Sequence, residues 1–145
     1  MIKVVKRIQL YLLKLLMNSM KKVVNISDAP KPIAPYSQAI MAGNTVYVSG
    51  QIAMNPYTAQ LVNESIEAQI RQILENIRAI LKEVGMDLSN VVKVSLFLSD
   101  MAIYKEVNTI YGTYFKEQPP ARETIQAAGL PMDVDVVISC IAVGN

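Results

Sequence analysis

The sequence predicts an α+β domain in which two helices pack on one face of a mixed β-sheet, giving two layers. Two segments repeat apolar residues at helical spacing, and six shorter ones are apolar or β-branched and bounded by Gly, Pro, Asn or Asp. Their order along the chain is β-β-β-α-β-α-β-β. A length of 145 residues fits one domain with a sizeable core.

The elements follow in turn. Lys22–Ser27 reads as a short strand, and Ala29–Pro35 as an extended connection stiffened by three prolines. Tyr36–Met41 and Thr45–Ser49 form two strands joined by the turn Ala42-Gly43-Asn44. A polar loop, Gly50–Asn63, leads to a helix from Glu64 to Val84, whose stripe is Ile66, Ile70, Ile73, Ile77, Leu81 and Val84, with Gly85 as its stop. Val91–Leu98 is a buried strand, and Ser99 or Asp100 caps a second helix that runs through Phe115. Arg122–Ala128 and Val134–Val143 are the last strands. The sheet face away from the helices needs cover, and Val46, Val48, Val137, Ile141 and Val143 are available to supply apolar groups to another subunit there.

The first nineteen residues stand apart from this domain, which spans 20–145. Met1–Met17 is basic and amphipathic: Val4, Ile8, Tyr11, Leu12, Leu15 and Leu16 share one stripe, and Lys3, Lys6, Arg7 and Lys14 lie mostly elsewhere. The stretch is too short and too charged for a transmembrane span and lacks a signal-peptide cleavage site. Three readings stay open: a helix that docks on a partner subunit, a helix that lies on a membrane, or an extension upstream of a true start at Met17 or Met20.

Composition narrows the chemistry. There is no histidine, so the usual general base near neutral pH is missing. The single cysteine, Cys140, excludes an intramolecular disulfide framework, fits a reducing cytoplasm and is too little for a structural zinc site. Neither a metal nor an organic cofactor is expected. A net charge of +2 with no basic, aromatic-interleaved stripe argues against a nucleic-acid partner, and no membrane partner is expected for the domain. A mean hydropathy of +0.27 is high for a soluble domain and points to an oligomer interface.

The most informative stretch is Pro119-Pro120-Ala121-Arg122-Glu123-Thr124, closed downstream by Gly129-Leu130-Pro131. Two prolines fix the approach of the backbone to a strand that starts at an arginine. An arginine so placed presents a planar, permanently charged fork suited to a carboxylate or a phosphate.

Ala34-Pro35-Tyr36-Ser37-Gln38-Ala39, Val48-Ser49-Gly50-Gln51-Ile52, Pro120-Ala121-Arg122 and Gly129-Leu130-Pro131, in this order, resemble the reactive intermediate deaminase (RidA, or YjgF) family. The resemblance covers about Met20 to Val143. It implies a chorismate-mutase-like fold, a homotrimer with small-molecule clefts between subunits, and hydrolysis of 2-imino acids to 2-keto acids and ammonia. It also implies that Arg122 grips the substrate carboxylate and that Tyr36 enters the cleft from the neighbouring subunit. Gly50 lines the pocket, Asn108 contributes from the second helix, and Thr124 offers its backbone to ligand or water.

The chain departs from the family pattern at the last strand. Deaminating members carry there a glutamate that holds the attacking water, and this chain has Val137. Valine makes no hydrogen bond, whereas Ser139 shares its face one pleat along, and Glu123 alternates away from Arg122. Alternatives to a 2-imino acid deaminase are therefore a non-catalytic receptor for small keto acids and, third, an endoribonuclease or translation inhibitor.

Overall fold

The computed structural model describes residues 2–18 and 21–144. The expected boundary at residues 19 and 20 lies outside the described residues, as do the side chains of Leu15 and Leu16. Strands β1 (Lys22–Val24), β2 (Ala39–Ala42), β3 (Thr45–Gln51), β4 (Val91–Leu98), β5 (Ala121–Gln126) and β6 (Val136–Val143) form one six-stranded sheet. Their order across it is β1-β2-β3-β6-β4-β5. Every pairing is antiparallel except β4 with β5, so the sheet is mixed. Three helices accompany it: α1 (Ile2–Asn18), α2 (Ile66–Lys82) and α3 (Tyr104–Tyr114). The expected order is the observed one, with α1 added in front.

Helix α2 buries Ile70, Ile73, Ile77 and Leu81 of the expected stripe and adds Leu74 and Ile80, while Ile66 and Val84 at its ends are only partly buried. It starts two residues later than expected, because the Ser65 hydroxyl accepts from the Ala68 amide at 3.1 Å and so caps the first turn. Its end is closed at Gly85, whose φ of +74° lets the Met86 amide reach back to Leu81 O at 3.0 Å. Helix α3 is preceded by a single 3-10 turn capped by Asp100, and it buries Val107, Ile110 and Tyr111. Because α3 links the parallel strands β4 and β5, it lies over that end of the sheet.

Register decides which side chains face the helices. Val94, Leu96 and Leu98 of β4 are buried beneath them and pair with Cys140, Ile138 and Val136 of β6. Two expectations change here. Val46 and Val48 pair with Ala142 and Cys140, so they belong to this helix-side core, and they are 0% and 4% exposed. The opposite sheet face carries instead Tyr47, Ile40 and Val23, together with Ile141, Val143 and Val137. The second change is at β2, which begins at Ala39, leaving Tyr36 in the loop before it.

Candidate functional site

Arg122 pairs with Val94 across β4 and β5, and therefore faces the helix layer. There it meets α3. Its Nη2 donates to Asn108 Oδ1 at 2.7 Å and, over a longer 3.3 Å, to Tyr104 Oη. The guanidinium also lies 4.8 Å from the centre of the Tyr111 ring and 5.9 Å from that of Tyr104. Among the described residues no carboxylate forms a salt bridge with Arg122. Its cradle is neutral throughout, so the positive charge is not cancelled within the chain.

The cradle has its own electrostatics. The Asn108 amide, and then the charge of Arg122, hold the Tyr104 phenol below its ordinary range. Burial does the reverse to Tyr111, pushing its phenol up to about 12. The Tyr111 hydroxyl and the Thr124 hydroxyl are buried without a hydrogen-bond partner among the described residues. Thr124 lies in register with Leu96, on the same face as Arg122 and one pleat further along β5.

Glu123 faces the other way, as strand alternation predicts. Lys93 Nζ and Ser95 Oγ both contact its carboxylate, and they hold it below the usual carboxylate range, Lys93 first and then Ser95. Cys140 is buried on the helix side, opposite in direction to Val137, and burial pushes its thiol up to about 12.

The remaining expected residues gather elsewhere. Gln38, 1% exposed, accepts from the Ile26 amide at 2.6 Å and donates to the carbonyls of Ile26, Ala29 and Pro30. One side chain thus pins the proline-rich segment that delivers Tyr36. The Ser49 amide donates to Gln38 O at 2.9 Å, and its hydroxyl donates to Ser37 O at 2.6 Å, fastening the Tyr36 loop to β3. From α2, Asn76 donates to the carbonyls of Ile52 and Met54 and holds the loop after β3. Tyr36 and Gly50 line one shallow hollow with Pro30, Lys31 and Ile33.

Gly50 sits where β3 slips register against β6, between Val48 and Gln51. A β-carbon there would come within 2.9 Å of Val137 Cγ1. Val137 thus packs directly against the pocket glycine, and its methyl group stands at the position the family resemblance gives to a carboxylate. Larger surface hollows exist, one bounded by Asp28, Tyr57 and Arg78 and another by Leu88, Tyr114 and Pro120, and neither includes an expected site residue.

The site residues therefore form two groups. Arg122, Asn108 and Thr124 lie together at the β5 edge under α3, and Tyr36, Gly50 and Val137 lie together around β3 and β6. Strands β3 and β5 are separated by β6 and β4, so the two strands stand about 14 Å apart. Sequence reading missed Tyr104 and Tyr111; both recur with Asn108 at helical spacing on α3, but only the packing of α3 over β5 brings them to Arg122.

A family model described as Endoribonuclease L-PSP matches residues 26–144. A RutC family protein of Pyrococcus horikoshii is 46% identical over 123 residues, spanning 85% of this chain and 98% of the relative. A mouse protein named 2-iminobutanoate/2-iminopropanoate deaminase is 43% identical over 123 residues, 85% of this chain and 91% of that one. The crystal structure of RidA from an Antarctic Psychrobacter superposes with a TM-score of 0.81 at 36% identity, covering 85% of this chain and 99% of that chain.

Proposed function

The chain belongs to the Endoribonuclease L-PSP family, and from that premise we propose that it hydrolyses small 2-imino acids to 2-keto acids and ammonia in the cytoplasm. The clefts lie between the subunits of a homotrimer. Arg122, with Asn108 and Thr124, comes from one subunit; Tyr36 and Gly50 come from its neighbour. The observation that carries this reading is a half-buried arginine whose partners, Asn108, Tyr104 and Tyr111, are all neutral. Such an arginine still has a full charge to offer a carboxylate. The separation of the two residue groups within one chain supports a shared cleft, because Tyr36 and Arg122 do not meet within one subunit.

In the mechanism, the substrate carboxylate pairs with the Arg122 guanidinium, displacing the long Tyr104 contact while the 2.7 Å bond to Asn108 keeps the fork in place. This pairing fixes the position of the adjacent imine carbon. Backbone groups near Gly50 and Thr124 hold a water beside that carbon. Water adds to the carbon and passes one proton to nitrogen, giving a carbinolamine, whose hydroxyl proton then moves to nitrogen as the C–N bond breaks, releasing ammonia and leaving the keto acid. Val137 gives no help in moving the proton. General acid–base assistance is worth 10²–10⁴-fold, so turnover runs slower than with a carboxylate, by about 3–5 kcal/mol of barrier.

That same valine supports a second reading, in which the cleft binds small keto acids without turnover. A pyridoxal-phosphate threonine dehydratase coupled to this protein, with semicarbazide trapping free imine, separates the two. Faster 2-ketobutyrate release that is lost in Arg122→Ala supports the deaminase. No acceleration, with Arg122-dependent binding of 2-ketobutyrate, supports the receptor, and no binding at all removes both.

A further inference from the structure

Helix α1 lies outside everything the family comparison explains. The family model begins at residue 26, and the Pyrococcus relative is covered over 98% of its length by 85% of this chain. The shared fold is therefore complete without α1. Within it, Val4, Val5, Ile8, Tyr11 and Leu12 recur at spacings of one face and are 52–69% exposed, as are Leu10 and Leu13 at 60% and 58%. No core residue of the domain covers them among the described residues.

Charge separates the helix from the domain even more sharply. Six of the 14 cations fall in the first 27 residues, and none of the 12 acids does, the first being Asp28. The segment thus carries +6 and the rest of the chain −4. Lys6 lies on the side of α1 away from Val4, Ile8, Tyr11 and Leu12, and Arg7 flanks that face beside Val4 and Tyr11. We propose that α1 lies flat on an anionic lipid surface, with this apolar face in the acyl boundary and its cations among the headgroups, and so tethers the domain to a membrane. Of the three readings open for this stretch, this is the helix that lies on a membrane.

The occupant follows from what the helix must satisfy at once. An apolar layer and a plane of negative charge are needed side by side, and an anionic bilayer interface supplies both. A second copy of the helix supplies the apolar face but sets cations against cations, with no acid to answer them. Crossing the bilayer is not an option, since no helix among the described residues is long and apolar enough. The proposal is independent of the imine chemistry. If the chain is a trimer, three helices would act together and strengthen the attachment.

The test uses the full chain and co-sedimentation with phosphatidylcholine vesicles, with and without phosphatidylglycerol. The expected result is sedimentation with the anionic vesicles only, falling steeply as salt rises. The double variant Ile8→Glu, Leu12→Glu places two charges in the apolar face and should reduce partitioning by about tenfold or more. Its molar mass by light scattering and its thermal unfolding should match those of the parent, because the helix is outside the core. Failure to sediment with anionic vesicles, equal binding to neutral ones, or binding that survives the double variant would each overturn the proposal. A drop in molar mass in the variant, without lipid binding by the parent, would assign the helix to a second copy instead.

Discussion

The guanidinium of Arg122 lies 4.8 Å from the ring centre of Tyr111, while the hydroxyl of that same tyrosine is buried without a partner among the described residues. Ring and hydroxyl thus have opposite effects: the ring stabilises the cation, and the hydroxyl costs desolvation. Tyr111→Phe should keep 2-ketobutyrate affinity within about twofold and leave stability equal or higher by about 1 kcal/mol. Tyr111→Leu should weaken binding by about threefold or more, the worth of a partly desolvated cation–π contact. Thermal unfolding and calorimetric titration check both.

Gly50 and Val137 form the second tight relationship. With Val137 Cγ1 at 2.9 Å from an added β-carbon, Gly50→Ala forces one of two packed strands to move. A destabilisation of about 1–3 kcal/mol is expected in denaturant unfolding. Adding Val137→Ala should recover most of it, because the methyl group in the way is gone. Simple additivity of the two substitutions would show that the clash lies elsewhere.

Val137→Glu tests the missing water-holder. If the cleft is otherwise intact, deaminase turnover should rise by about 10²–10⁴-fold. Because Val137 is only 9% exposed within one chain, some loss of stability should accompany the gain. An unchanged rate in a folded variant would mean that water is placed by other groups.

Cys140 supplies a pH signature. Burial raises its thiol from 9.0 to about 12 in the folded protein, so the folded state holds its proton where the unfolded chain has lost it. Its contribution to stability is complete below pH 9 and disappears as pH rises toward 12. Cys140→Ala should flatten that alkaline decline, and iodoacetamide at pH 8 should label the parent only once it is unfolded.

Much of this arrangement is legible in the sequence because strong local signals agree with the fold. The isoleucine spacing of α2, its Ser65 cap and Gly85 all point one way. The Pro119-Pro120 pair places Arg122 at the start of a strand, and alternation sends Glu123 to the other face. Other features depend on tertiary contacts. Val46 and Val48 alternate cleanly with polar neighbours, yet which face is buried is decided only by pairing with Ala142 and Cys140. Tyr36 reads as strand, yet its amide turns back to Ala34 O at 2.8 Å and leaves it in the loop before β2. Tyr104 and Tyr111 gain their place beside Arg122 only when the helix is laid across β5.

The most direct test of the shared cleft is complementation between subunits. Arg122→Ala and Tyr36→Ala chains, each unable to bind 2-ketobutyrate alone, are unfolded together in equal amounts, refolded and titrated calorimetrically. A cleft built from Arg122 of one subunit and Tyr36 of the next should reappear in about a quarter of the interfaces of a random trimer. Recovery of binding at that level is the expected result. No recovery, in a mixture that refolds to the parent's mass, would contradict a site divided between subunits.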